Sequence, residues 1–215
     1  DRGVWIAVTT DVARPERTTD PALIAALVDE DETDRSFAWA AVGDEVFNQT
    51  ILYGPDGALE HTFDKEYLTP AEEDDLDLSY GPPGTLRAVE LPFGRVSSVI
   101  SKDAWMPDVL ARLALDGAAL MLQPEAFSGW AAHGDDGAWG PDVVKEGGWM
   151  HVMRYPEFRV NVLPCMSSNL FELVFDCQTS ILADRRHFDG AGAWVGQDPD
   201  AGFAVVAPWA LDDDG

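Results

Sequence analysis

The stretch Gly94-Arg95-Val96-Ser97-Ser98-Val99-Ile100-Ser101-Lys102-Asp103-Ala104-Trp105-Met106-Pro107 holds the residues best placed to do chemistry. It reads as a buried strand that ends in a polar turn and opens into a helix predicted from Pro107 to Asp116. A second strand, Ala118 to Gln123, follows and closes in Pro124-Glu125. α/β enzymes place nucleophiles at corners of this kind, because the strand end exposes the side chain and the following amide N–H groups point at bound substrate. Ser101 occupies the corner. Hydrolysis through a covalent intermediate would need that nucleophile, a general base, and a cation or N–H donors for the developing oxyanion. The histidines His61, His133, His151 and His187 show no spacing to Ser101 that suggests a triad.

The corner and two further blocks resemble the nitrilase superfamily of carbon–nitrogen hydrolases, whose nucleophile strand ends in I-C-[YK]-D-x-x-x-P and runs on to R-x-x-L-x-G-A. Ile100, Asp103, Pro107, Arg112, Leu115, Gly117 and Ala118 stand at the matching places, with Ser101 where the family carries cysteine. Upstream, Phe47-Asn48-Gln49-Thr50, the turn Tyr53-Gly54-Pro55-Asp56-Gly57, and Phe63-Asp64-Lys65-Glu66-Tyr67-Leu68-Thr69-Pro70 resemble the hairpin leading to the lysine of K-x-x-L-x-P-x-x-E. Phe175-Asp176-Cys177-Gln178-Thr179-Ser180-Ile181 is similar to the late F-x-G-x-S-x-I strand, with Cys177 and Thr179 as departures. The blocks fall in family order from Asn48 to Ile181.

The resemblance implies roles. Lys65 would stabilise the tetrahedral intermediate, Glu73 would position lysine and substrate, and residue 101 would attack. Lys102 matches family variants that read C-K-D, and its N–H would help hold the oxyanion of the substrate, a small amide or nitrile. Independently of the resemblance, the aromatic loop of Phe127, Trp130 and Trp139 reads as a wall of the substrate-binding pocket or as packing anchors. Neither a cofactor nor a metal is implied. A serine hydroxyl is far harder to deprotonate than a thiol of pKa about 8.5. The expected function is therefore an amidase-type carbon–nitrogen hydrolase that is inactive as given; the alternative is a pseudoenzyme kept as a binding or assembly subunit. The implied base glutamate would precede the strand Val4 to Thr9. Residues 1–215 accordingly read as one carbon–nitrogen hydrolase domain lacking its N-terminal part, poorly soluble and silent if expressed alone. The implied fold is α/β, a four-layer α-β-β-α sandwich, assembled as a homo-oligomer through its helical faces.

Patterning supplies the elements that must hold these residues. The Gly54-Pro55-Asp56-Gly57 turn predicts a hairpin of Phe47–Tyr53 and Ala58–Asp64, and Pro92-Phe93-Gly94 a second one of Leu86–Leu91 and Arg95–Ile100. A short helix from Pro21 to Asp29 is capped by Thr19 or Asp20, and a longer one is predicted over residues 141–155. Strands are predicted at Val160–Pro164, Leu173–Leu182 and Phe203–Val206, and residues 11–44 read as an insertion. Cys165 and Cys177 supply no framework of the secreted type; both read as buried small hydrophobes, with a disulfide left open. The sequon at Asn48 lies on a predicted strand and is discounted. The formal charge of −25 and a pI near 4.1 disfavour nucleic acid and anionic membrane surfaces as partners. Acidic runs at 29–34 and 72–77 read as solvated loops. No apolar run approaches the ~18 residues of a membrane span, and with no signal pattern the expected location is cytoplasmic.

Overall fold

A computed structural model describes residues 3–28, 35–130, 140–170, 173–183 and 205–208. The acidic run at 29–34, His133, Trp139 and His187 lie outside them. Strand β1 (Ile6–Thr18) pairs antiparallel with β2 (Ala38–Tyr53), which pairs with β3 (Leu59–Asp64). The expected strand at residues 4–9 is thus only the base of a long ribbon. What read as an insertion extends both strands, from Thr18↔Ala38 at the far end to Ile6↔Tyr53. Pro15, which cannot donate to a ladder, sits where the register slips. At the ribbon's end, α1 (Pro21–Leu27) is capped by the Asp20 carboxylate on the Ala22 N–H, and buries Ile24.

Among the described residues the larger sheet has six strands, in the order β11-β10-β7-β6-β5-β4. They are β4 (Val89–Leu91), β5 (Gly94–Ser98), β6 (Leu120–Leu122), β7 (Val160–Leu163), β10 (Ser180–Ala183) and β11 (Val205–Val206). Strands β5, β6 and β7 are parallel, and the others pair antiparallel. The crossover from β5 to β6 carries α3 (Pro107–Leu115). Alternation on β6 explains the layering. Met121 packs with Val109, Leu110 and Leu113 of α3, whereas its neighbours Leu120 and Leu122 point the other way, towards Leu52 of β2. Thr50 of β2 and Ser98 of β5 join the two sheets through a buried hydroxyl contact of 2.9 Å. The result is a layered α/β sandwich with helices over one face of the large sheet and the three-stranded sheet over the other.

The predicted helix over residues 141–155 is broken into α4 (Gly140–Val144), a π-turn at Lys145–Trp149, and α5 (Met150–Arg154). Gly147 and Gly148 make the wide turn, since any side chain at Gly147 would strike the Trp105 ring. The predicted strand 173–182 is likewise two, β9 (Leu173–Asp176) and β10, with β9 pairing to β8 (Ser167–Leu170). The break comes where Asp176 and Gln178 turn inward to bind Trp130. Cys165 and Cys177 are joined as a disulfide, with Cα atoms 5.4 Å apart. Among the described residues no helix is long and apolar enough to cross a membrane.

Candidate active site

The corner after β5 forms as a tight 3-10 turn, Ser101–Trp105, rather than running straight into α3. Ser101 lies at φ 46°, in the left-handed region that L-residues avoid. Strained non-glycine residues of this kind persist only where the surroundings hold them, and they cluster at functional sites. Two contacts hold this one. The Ser101 N–H donates to the Pro124 carbonyl at 3.1 Å, and the Asp103 carboxylate accepts the Ile100 N–H at 3.2 Å. Asp103 also accepts the Tyr67 N–H at 2.8 Å, so one fully buried carboxyl ties the corner to the loop after Lys65. Burial pushes its pKa up to about 7, opposed by those two N–H bonds and by the Lys65 charge.

Lys65 leaves the end of β3 with only 2% of its surface exposed. Its backbone is fixed on both sides, by Lys65 N–H to the Asn48 carbonyl at 2.9 Å and by Gly81 N–H to the Lys65 carbonyl at 2.7 Å. Position 81 must be glycine, because a Cβ there would lie 2.7 Å from the Lys65 oxygen. The Lys65 ammonium donates to both oxygens of Glu72, at 2.7 and 2.6 Å. Glu72 also accepts Asn48 Nδ2 at 2.9 Å and the Thr69 N–H at 2.8 Å. Burial alone would raise the Glu72 pKa, but the Lys65 charge and these hydrogen bonds outweigh it and hold the carboxyl below its usual value. The sequon residue Asn48 is therefore a half-buried strand residue that helps hold the lysine's partner.

This corrects the assignment of Glu73. Thr69 and Glu72 form a capping box at the start of α2 (Pro70–Asp74), which turns Glu72 inward onto Lys65. One residue later on the helix, Glu73 points away and accepts the Tyr80 hydroxyl at 2.6 Å in an exposed contact. The run at 72–77 is consequently not all solvated loop. Trp130 also needs correction. It is completely buried among Val144, Leu163, Cys177, Leu182 and Val206, with its backbone N–H on Asp176 and its indole N–H on Gln178. It anchors the core and cannot wall a pocket. Phe127, half-buried, packs on it with ring centroids 5.9 Å apart. The Lys102 amine donates to the Leu68 carbonyl at 2.6 Å, bracing the lysine loop from the corner side.

Two carboxylates escaped the sequence reading. Glu125 follows β6 and is buried at 4% exposure. Because β5 and β6 are parallel with Val96 opposite Leu120 and Ser98 opposite Leu122, continuing the register sets Ser101 beside Glu125. Gln123 Nε2 donates to the Glu125 Oε1 at 2.8 Å. Burial pushes the Glu125 pKa up to about 7, opposed by Gln123, Ser101 and the charge of Lys65. Asp11, paired across the ribbon with Asn48, is the second. Its pKa is raised by burial and by Glu72, and lowered by Lys65, so it stands at the rim of the same charged cluster. A glutamate closing the strand next to the nucleophile strand was the available signal for Glu125; nothing marked Asp11. Among the described residues no three His, Cys, Asp or Glu side chains are grouped to hold a metal ion.

Residues 6–170 match the model of the carbon-nitrogen hydrolase family. The chain belongs to that family. Among solved structures, it is similar to a carbon-nitrogen hydrolase from Helicobacter pylori G27, at TM-score 0.53 and 12% identity over 65% of this chain and 50% of that one. It is also similar to Nit3 of Saccharomyces cerevisiae, a member of branch 10 of the nitrilase superfamily, at TM-score 0.52 and 20% identity over 65% and 46%. A third is a mutant amidase from Nesterenkonia sp. AN1 carrying acrylamide added at its active site cysteine, at TM-score 0.50 and 15% identity over 65% and 50%. The chain thus spans about half the length of these proteins, and at such identities the likeness is one of fold. No curated protein matches the chain.

Proposed function

We propose that this member of the carbon–nitrogen hydrolase family carries an amidase-type acyl-transfer site centred on residue 101, acting on a small amide. The observation that carries the reading is the buried Lys65 ammonium, held by Glu72, with the loop that follows it tied through Asp103 to the strained corner at Ser101. An ammonium fixed in a site closed to water is the group an oxyanion needs, since its attraction is worth far more there than in solvent. The nucleophile at 101 would attack the amide carbon, the oxyanion would rest against Lys65 and the backbone N–H of Lys102, and collapse would expel the amine. Water would then release the acyl group. The amidase among the similar structures, modified at its active site cysteine, supports the substrate class. A serine hydroxyl at this position acylates more slowly than a thiol would.

The test is Ser101→Cys in the full-length protein, incubated with a panel of small amides, nitriles and carbamoyl compounds. Hydrolysis, or an acyl adduct on residue 101 by peptide mass spectrometry, is the expected outcome. Absence of both across the panel would remove the reading. No observation in the structure favours the alternative of a non-catalytic assembly subunit.

A further inference from the structure

We infer that the buried ion pair of Glu66 and Arg112 is a positioning device for Lys65, fixing the lysine loop in the orientation that presents the ammonium to residue 101. The inference rests on the acyl-transfer reading and gives a role to Glu66 and Arg112, which that reading does not use. Lys65 and Glu66 are consecutive residues just past β3, and their side chains go to different partners. Lys65 reaches Glu72 of α2, whereas Glu66 Oε2 accepts Arg112 Nη2 of α3 at 2.6 Å. Glu66 Oε1 accepts the Leu86 N–H at 2.8 Å, and Arg112 Nε donates to the Leu86 carbonyl at 3.3 Å. The three residues close a ring around a Glu66 side chain that is 1% exposed. A second tie lies beside it, where the Tyr67 hydroxyl donates to Asp108 at 2.9 Å. Asp108 and Arg112 stand four apart on α3 and so share a face. α3 therefore grips the two residues after Lys65, and it begins two residues beyond the Ser101 turn.

A buried ion pair is a poor source of stability, because removing both charges from water offsets most of their attraction, and neutral pairs of similar volume are often as stable. What the charged pair adds is direction. The planar guanidinium meets a carboxylate and a carbonyl along fixed lines, which an apolar contact does not. Direction matters here because a single peptide bond separates Glu66 from Lys65. A rotation of the chain that took Glu66 out of its ring would swing Lys65 off Glu72. Glu72 is a weak anchor against this, since it stands on a five-residue helix with no buried residue. α3 is a firm one, packed into the core through Val109, Leu110 and Leu113. The lysine is thus referred to the same helix that follows the nucleophile turn. A misplacement of about 1 Å at such a site can slow the chemistry by on the order of 100-fold.

The experiment is a mutant cycle in the full-length protein carrying Ser101→Cys, with p-nitrophenyl acetate as the acyl donor and acetyl read on the peptide containing residue 101. The pair is replaced by Glu66→Gln with Arg112→Met, which removes both charges and keeps an acceptor for the Leu86 N–H. This variant is expected to unfold cooperatively, to acylate about 10-fold more slowly, and to keep its half-saturating ester concentration within about twofold. Added on top of Lys65→Met, the same replacement is expected to change the rate by less than about twofold, because a device that acts through the lysine has nothing left to position. A full rate in the folded variant overturns the inference. So does an equal loss with and without Lys65→Met, which would mean that the pair supports the fold and not the lysine. Where the double replacement does not fold, Glu66→Gln alone is read in the same way; failure of both to fold makes the pair a folding requirement and also overturns the inference. Lys65→Met by itself tests the underlying reading. A full rate in that variant, or no acylation of residue 101 in any, removes the acyl-transfer reading, whereas loss in Lys65→Met with none in the pair variant overturns the positioning role alone.

Discussion

At the scale of single residues, the site is a question of where each charge is held. Lys65 has its ammonium on both oxygens of Glu72, while Glu73 faces solvent and Tyr80. In the Ser101→Cys variant, adding Glu72→Gln is therefore expected to lower the acylation rate by ~10-fold or more, and adding Glu73→Gln to change it less than twofold, measured side by side. Equal losses would mean that the ion pair does not orient the lysine. Burial of carboxyls gives a second expectation. Folding raises Asp103 from 3.8 and Glu125 from 4.5, each to about 7, so between those values the folded state holds more protons than the unfolded chain. Stability then falls as pH rises through that range. His151, buried against the Ala104 carbonyl, is lowered from 6.5 to about 4 and pulls the other way below 6.5. Above about 6.5 the carboxyl effect stands alone, so urea unfolding should show stability falling towards pH 7.5. The fall should be smaller in Glu125→Gln, and an identical slope in that variant would contradict the assigned burial cost.

At the scale of elements, short pieces do the positioning. α2 is only five residues long, yet its capping box is what turns Glu72 onto Lys65. Thr69→Ala is expected to cost about 0.5–2 kcal/mol in unfolding experiments and to slow acylation beyond what that loss alone would produce. A variant that loses stability but acylates at the full rate would show that the cap does not orient the carboxylate. The spacing Thr69-x-x-Glu72 was legible as a capping box and points Glu72 at Lys65; counting along the family motif led to Glu73. The Ser101 corner was legible for a different reason, as an apolar strand run broken by polar residues and Pro107. The ribbon of β1 and β2 was not. Its alternation is interrupted by Pro15 and Gly43, and those breakers are absorbed by a register slip and by a positive φ of 80°. The π-turn was hidden as well, since Gly147 is required by the approach of Trp105 from a distant segment.

At the scale of the whole molecule, the layered sandwich was expected from the family resemblance, and alternation on β6 with the buried face of α3 gives each layer its neighbour. The placing of Ser101 beside Glu125 was not expected, because it depends on which strands lie side by side. The disulfide between Cys165 and Cys177 was hidden for the same reason, being set by how β7 and β9 end. The formal charge of −25 acts on the whole chain as self-repulsion that folding concentrates. Raising NaCl from about 0.05 to 1 M shortens the screening length from more than ~10 Å to about 3 Å, and the melting temperature is expected to rise with it. A melting temperature that fell with salt would show that attractive pairs such as Lys65–Glu72 dominate the electrostatics instead.

The central claim is that residue 101 accepts the acyl group beside Lys65. Peptide mass spectrometry after incubation with p-nitrophenyl acetate tests it most directly, on the parent chain, Ser101→Ala and Lys65→Met. The account expects acetyl on the peptide containing Ser101 in the parent, none there in Ser101→Ala, and a loss of about 100-fold in Lys65→Met. Acetyl spread over other residues, or the same label on that peptide in Ser101→Ala, would contradict it.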